Sequence, residues 1–363
     1  MAFAGRILRL GSFVVSRMVL ASVLSSAAEA HVKWFCGPAD VTLLPLSLPV
    51  VLSRVFLVSG VAFWIIVSSA GMVDVLAYRR WAPKIWRYRN REALEAIIIR
   101  LGVGTYTLFL FNKTAVAPWA AGGDGSILTP ELFQHDAWIR SIQIAIGCLL
   151  IFRSTCAMGG AGLLILYVAG IVRYGLFHMT DYTYFVCLAG YLILSDSYFD
   201  TNANLRRWRV PLITAGLSFS LMWTAIEKFL YPLWTGIVLS SHTNLTMGFP
   251  IPFVTVMAGF VEFSLAFYLL AGRSLLRLDT AVLMLVFLSA IPEFGVLDSV
   301  GHIPIVAMLL VIFIHGPGRL QQLAQPSHGG YARAAVPAGT LCVASFAVMM
   351  TLYYGLQRFA SWP

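Results

Sequence analysis

Apolar residues run along this chain in blocks close to the length of a bilayer-crossing helix, separated by short polar or basic stretches. A helix needs about 20 apolar residues to cross a hydrocarbon core of ~30 Å. The strict alternation that marks a membrane barrel is missing. The blocks predict ten spans, over 50–76, 94–113, 137–152, 158–177, 182–197, 210–228, 251–271, 279–297, 302–315 and 335–355. The expected fold class is therefore all-α: a polytopic transmembrane helical bundle.

Composition agrees with that reading and narrows it. Of 363 residues, 59% are hydrophobic and only 11% are charged, against about a quarter charged in an ordinary soluble domain. A water-soluble globule and a disordered chain are both excluded on those terms. The net charge of +9 raises nucleic acid as a partner, but the basic residues sit between apolar blocks, as topology signals do. The expected partner is the lipid bilayer, with no nucleic acid.

Charge placement then orients the chain. The inward loops would carry Arg79, Arg80, Lys84, Arg87, Arg89 and Arg91, followed by Arg153, by Arg206, Arg207 and Arg209, by Arg273 and Arg277, and by Arg319 and Arg333. The outward loops 114–136, 178–181, 229–250 and 298–301 hold no Lys or Arg. That bias places the C-terminus outside. At the N-terminus, Arg6, Arg9 and Arg17 precede a short apolar run and Ala28-Glu29-Ala30, the pattern of a signal peptide cleaved before His31. The expected location is the inner (plasma) membrane, multi-pass, with a periplasmic mature N-terminus.

The middle of the chain resembles itself at an offset of 120. Ile171-Val-Arg-Tyr-Gly-Leu-Phe-His178 aligns with Ile291-Pro-Glu-Phe-Gly-Val-Leu-Asp298, and Leu149-Leu-Ile-Phe-Arg153-Ser154 with Leu269-Leu-Ala-Gly-Arg273-Ser274. The expected organisation is a signal peptide (1–30), an exported segment with a first span and basic loop (31–93), two tandem four-helix units (94–197 and 198–315), and a final loop and span (316–363). The offset sets Arg173 against Glu293 and His178 against Asp298, with Asp181 near His302. Charges in hydrocarbon face the bundle interior and pair, so the units are expected to face each other and gather these groups toward the outside. Glu262 falls near the middle of its span, with Gln143 as counterpart, while Glu227 and Lys228 end theirs, with Lys113 as counterpart.

Several familiar chemistries lack their sequence signatures. There is no Walker loop, GxGxxG, HExxH or CxxC, so nucleotide, zinc-hydrolase and dithiol readings have no motif. Gly159-Gly160-Ala161-Gly162 reads as a site of close helix packing. Cleavage before His31 would leave an amine and imidazole on one residue, near Cys36, a ligand set suited to copper. That makes His31 a candidate metal ligand.

A set of motifs resembles the DoxX-like family of integral membrane proteins. In the first half these are Arg100-Leu-Gly-Val-Gly followed by Lys113, Thr129-Pro-Glu-Leu, and His178 to Asp181-Tyr182. In the second they are Leu221-Met-Trp, Glu227-Lys228-Phe, Tyr231-Pro-Leu-Trp234, Ala258-Gly-Phe-Val-Glu262-Phe, and Phe294-Gly-Val-Leu-Asp298 with Gly301-His302. The resemblance covers 94–315. It implies a component of a membrane redox system, with oxidase or oxidoreductase subunits as partners and a quinone as the bound group. In that reading a periplasm-facing pocket takes a quinone-like headgroup or relays protons. Glu262, Glu227, His178 and His302 would handle protons, and Lys113, Arg173, Asp181, Lys228 and Asp298 would bind. The alternatives are a small-solute or copper-handling transporter and a non-catalytic scaffold.

Overall fold

The computed structural model describes residues 44–81, 90–111, 137–324 and 331–360. Regular structure among them is helical, with no strand. The principal helices are α1 (Arg54–Trp81), α2 (Arg91–Phe111), α3 (Ala137–Leu149), α4 (Cys156–Tyr174), α5 (Thr183–Ser195), α6 (Arg209–Leu230), α7 (Pro232–Ser241), α8 (Ile251–Ala271), α9 (Leu276–His315) and α10 (Tyr331–Ala360). Among the described residues, five stretches are long and apolar enough to cross a membrane: Arg54–Ala77, Arg153–Val172, Ala203–Leu230, Ile251–Ala271 and Ala338–Phe359. The chain is thus an all-helical protein with several candidate membrane spans.

Local sequence explains where the helices stop. Gly175 follows α4 with φ of 84°, and Gly316 follows α9 with φ of 73°, conformations that cost a side-chain-bearing residue energy. Pro232 and Pro252 sit in the first turns of α7 and α8, where a missing N–H is harmless.

One expectation needs correction. Spans 279–297 and 302–315, separated by an outward loop, are a single helical element, α9, of 40 residues. A straight rod of that length would reach ~60 Å. Yet the Arg277 guanidinium Nε donates to the Phe313 carbonyl at 3.1 Å, and the rings of Phe287 and His302 lie 4.8 Å apart. The element therefore doubles back between Phe287 and His302 into two antiparallel legs. Helical backbone runs through 298–301, where a loop was expected, and Pro292 and Gly295 lie between the two legs.

Helix contacts form a chain of neighbours. α2 packs on α3, α3 on α4, α4 on α5, α5 on α6 and α6 on α8, while α9 packs on both α8 and α2. Glycines set the closest approaches. A Cβ on Gly102 of α2 would meet Ala307 of α9 at 2.6 Å, and one on Gly216 of α6 would meet Cys187 of α5 at 2.5 Å. Gly160 lies where a Cβ would stand 2.7 Å from the Ala189 carbonyl oxygen, so the glycine run in α4 is a helix-packing surface.

Arginines tie helix ends together in similar ways. Arg91 opens α2 and donates to the His315 carbonyl at 3.4 Å, and Arg209 opens α6 and donates to the Leu194 carbonyl at 2.8 Å. Arg153 donates to the Ser195 carbonyl at 3.4 Å, as Arg277 does to Phe313. Arg100 caps α3 through the Leu150 carbonyl at 2.7 Å. In each case a guanidinium satisfies carbonyls that a helix end leaves without partners.

α1 and α10 pack on each other, and α1 also packs on α8. Together with α6 they enclose an aromatic core that includes Phe56, Phe63, Phe229, Phe260 and Phe263. Asp74 of α1 fastens this layer. Its two carboxylate oxygens accept from the backbone N–H of Arg273 at 2.9 Å and of Leu275 at 2.6 Å.

Candidate functional site: a pocket at the end of α6

The site begins where α6 ends. The Tyr231 N–H closes the last turn onto the Glu227 carbonyl at 2.7 Å, and Pro232 starts α7 at once. Glu227 and Lys228 occupy that last turn and diverge by about 100° around the helix. Lys228 Nζ meets Glu262 Oε2 of α8 at 2.7 Å. Glu227 Oε1 accepts from the Tyr353 hydroxyl of α10 at 2.8 Å. Glu262 stands eleven positions after Ile251, ~16 Å along α8.

Glu227, Lys228 and Glu262 line one pocket, a cavity of about 120 Å³. Its polar lining comes from Asp181, Tyr184, Thr224, Glu227, Lys228 and Glu262. Leu217, Leu221, Leu283, Val286, Phe287 and Ile305 supply apolar walls. Tyr231 and Trp234, also in the lining, stack face to face with centroids 3.9 Å apart and planes 3° from parallel. Among the lining residues three carboxyl groups stand against one ammonium. An anion is therefore poorly matched. A neutral head with carbonyl or hydroxyl groups suits Lys228 as donor and Glu262 as acceptor.

Four of the sequence candidates meet here: Glu262, Glu227, Lys228 and Asp181. The two histidines do not line the pocket, contrary to expectation. His302 is buried behind the wall, edge-on to Phe287. His178 packs edge-on to Phe177, which in turn packs edge-on to Tyr353. The side chains of Arg173, Glu293 and Asp298, and all of His31 and Lys113, lie outside the described residues, as do the pairings expected of them. Gln143, the counterpart of Glu262, is fully buried on α3 rather than in the pocket. No group of three or more His, Cys, Asp and Glu suited to a metal occurs among the described residues.

Sequence reasoning missed Tyr353. It belongs to a terminal helix that the repeat left outside both units, and only packing brings it beside Glu227. Tyr231 and Trp234 appeared in a motif, but their stacking needs the break at Pro232. Tyr184 and Thr224 gave no signal beyond a hydroxyl in an apolar run.

No family model, curated protein or solved structure matched the chain.

Proposed function

We propose that this chain is a component of a membrane redox system, built on two DoxX-like four-helix units in a ten-span bundle in the inner membrane, and that its pocket binds a quinone-like headgroup. The single observation that carries the reading is the Lys228–Glu262 ion pair inside an apolar pocket that also holds Asp181 and Glu227. Ionisable groups at that depth are costly and mark functional sites. The excess of carboxyl groups disfavours a phosphate head, and the Tyr231–Trp234 stack offers a flat wall to a ring. Lys228 would donate to a quinone oxygen, and Glu262 and Glu227 would take up and release protons, with electrons supplied by a partner subunit.

The matching arginine contacts support the repeat. Arg91 and Arg209 are 118 positions apart, and their acceptors Leu194 and His315 are 121 apart. The doubled-back α9 supports two spans within it. The test is purification in a gentle detergent with mass spectrometry of bound lipids, followed by quinone titration monitored by tryptophan fluorescence. A copurifying quinone is expected, and Lys228→Gln is expected to weaken headgroup binding by about tenfold, the loss of one charge-assisted contact. Absence of quinone together with no binding in titration would overturn the reading.

A further inference from the structure

The pocket's mouth faces sideways. Glu262 has a side chain 35% exposed, and Val286, which lines the pocket from α9, is 45% exposed. Near them on the same two helices, Val261 at 40%, Val282 at 37% and Leu285 at 67% are apolar and exposed as well. Glu262 lies ~16 Å along an apolar helix that crosses the bilayer, so the surface around this opening is hydrocarbon-facing. The inner end of the pocket, by contrast, is closed by Leu217, Leu283 and Tyr184, all buried. A charged group half-open to lipid is retained only where something uses it or covers it.

We infer that the pocket is loaded from the bilayer: an amphiphile with a neutral oxygen-bearing ring enters between α8 and the first leg of α9, its head meets Lys228 and Glu262, and its long apolar tail stays in the leaflet against Val261, Val282, Leu285 and Val286. The inference rests on the proposed headgroup site and adds the tail and the route. An aqueous solute would need a polar mouth, and this one has hydrocarbon on both lips. A phospholipid would share the tail but brings a phosphate to a pocket with surplus carboxyl groups. Because lipid tails are as apolar as these side chains, the tail adds little binding energy of its own; it fixes where the ligand waits and which way it points.

Photoaffinity labelling in lipid nanodiscs tests this. The probe is a ubiquinone analogue whose decyl tail carries a diazirine at its middle, and the competitor is unmodified decylubiquinone. Competitor-sensitive labelling is expected on α8 and on the first leg of α9, on the outward face that carries Val261, Val282 and Leu285. Lys228→Gln is expected to reduce that labelling by about tenfold. Leu285→Phe, on the exposed face of α9 and outside the pocket lining, is expected to move or suppress it while a tail-less quinone still quenches fluorescence as before. Competitor-sensitive labelling confined to other helices, with tail-less binding intact, would overturn the route and leave the headgroup site standing. Failure of both tailed and tail-less quinones to bind would remove the site and the route together.

Discussion

At the scale of single residues, the distinction between holding the fold and holding a ligand is testable at Lys228 and Glu262. Removing one partner of an ion pair in an apolar setting strands the other, which costs more than losing the pair. Lys228→Met is therefore expected to lower thermal stability in detergent by several degrees, and Lys228→Met with Glu262→Met to recover most of it. Headgroup binding should be lost in both. If the double variant kept wild-type binding, the pair would be structural only. Asp74 plays the opposite part: it lies far from the pocket and accepts from two backbone N–H groups. Asp74→Ala leaves those donors without a partner and is expected to cost about 1–3 kcal/mol, read as a lower unfolding midpoint with headgroup affinity unchanged. The sequence marked Glu262, Glu227 and Lys228 because charge in an apolar run is rare. It gave no reason to single out Asp74, whose partners are backbone groups some 200 positions away.

At the scale of elements, glycine patterns carried real information. The run at 159–162 was legible as a packing surface because small residues let helix backbones approach, and Gly160 does sit against the Ala189 carbonyl. Gly160→Leu is expected to cost about 1–3 kcal/mol, whereas Gly355→Leu on α10, with nothing within 4 Å of its added Cβ, is expected to leave the unfolding midpoint unchanged. Thermal melts of the two variants side by side make the comparison. Element ends followed the sequence less closely. The span predicted over 158–177 stops at Tyr174 because Gly175 turns the chain with positive φ, and the two spans predicted in 279–315 join into one doubled-back element. Hydropathy reads the polar residues Glu293, Asp298 and Ser299 as a break between spans and carries no information on whether the backbone stays helical there.

For the whole molecule, the alternation of basic and non-basic loops predicts which ends of the bundle share a side. Tyr198 and Met247 are both strongly exposed, on either side of α6 in sequence. In a cysteine-free background, Tyr198→Cys and Met247→Cys are expected to react with an impermeant thiol reagent from opposite faces of sealed vesicles, Met247→Cys from the outside. Reaction from the same face would remove the topology. The contacts of α2 with α9, alongside those of α5 with α6, close the bundle so that first and last helices of the predicted units meet. Nothing in a linear pattern of apolar blocks specifies that closure, because every block is equally able to face lipid or protein.

The amino-acid sequence by itself determined that the chain is helical and suited to a membrane, since block length and the scarcity of charge are local properties that need no partner. It also singled out the rare ionisable groups, because their cost in hydrocarbon is the same wherever the helix goes. Only the tertiary structure decided which of them meet: Lys228 turns to Glu262 and Glu227 to Tyr353, while His178 and His302 pack edge-on to Phe177 and Phe287. Those choices depend on helix rotation and on contacts between different helices, 34 positions apart for Lys228 and Glu262 and 126 for Glu227 and Tyr353, and neither leaves a trace in local composition.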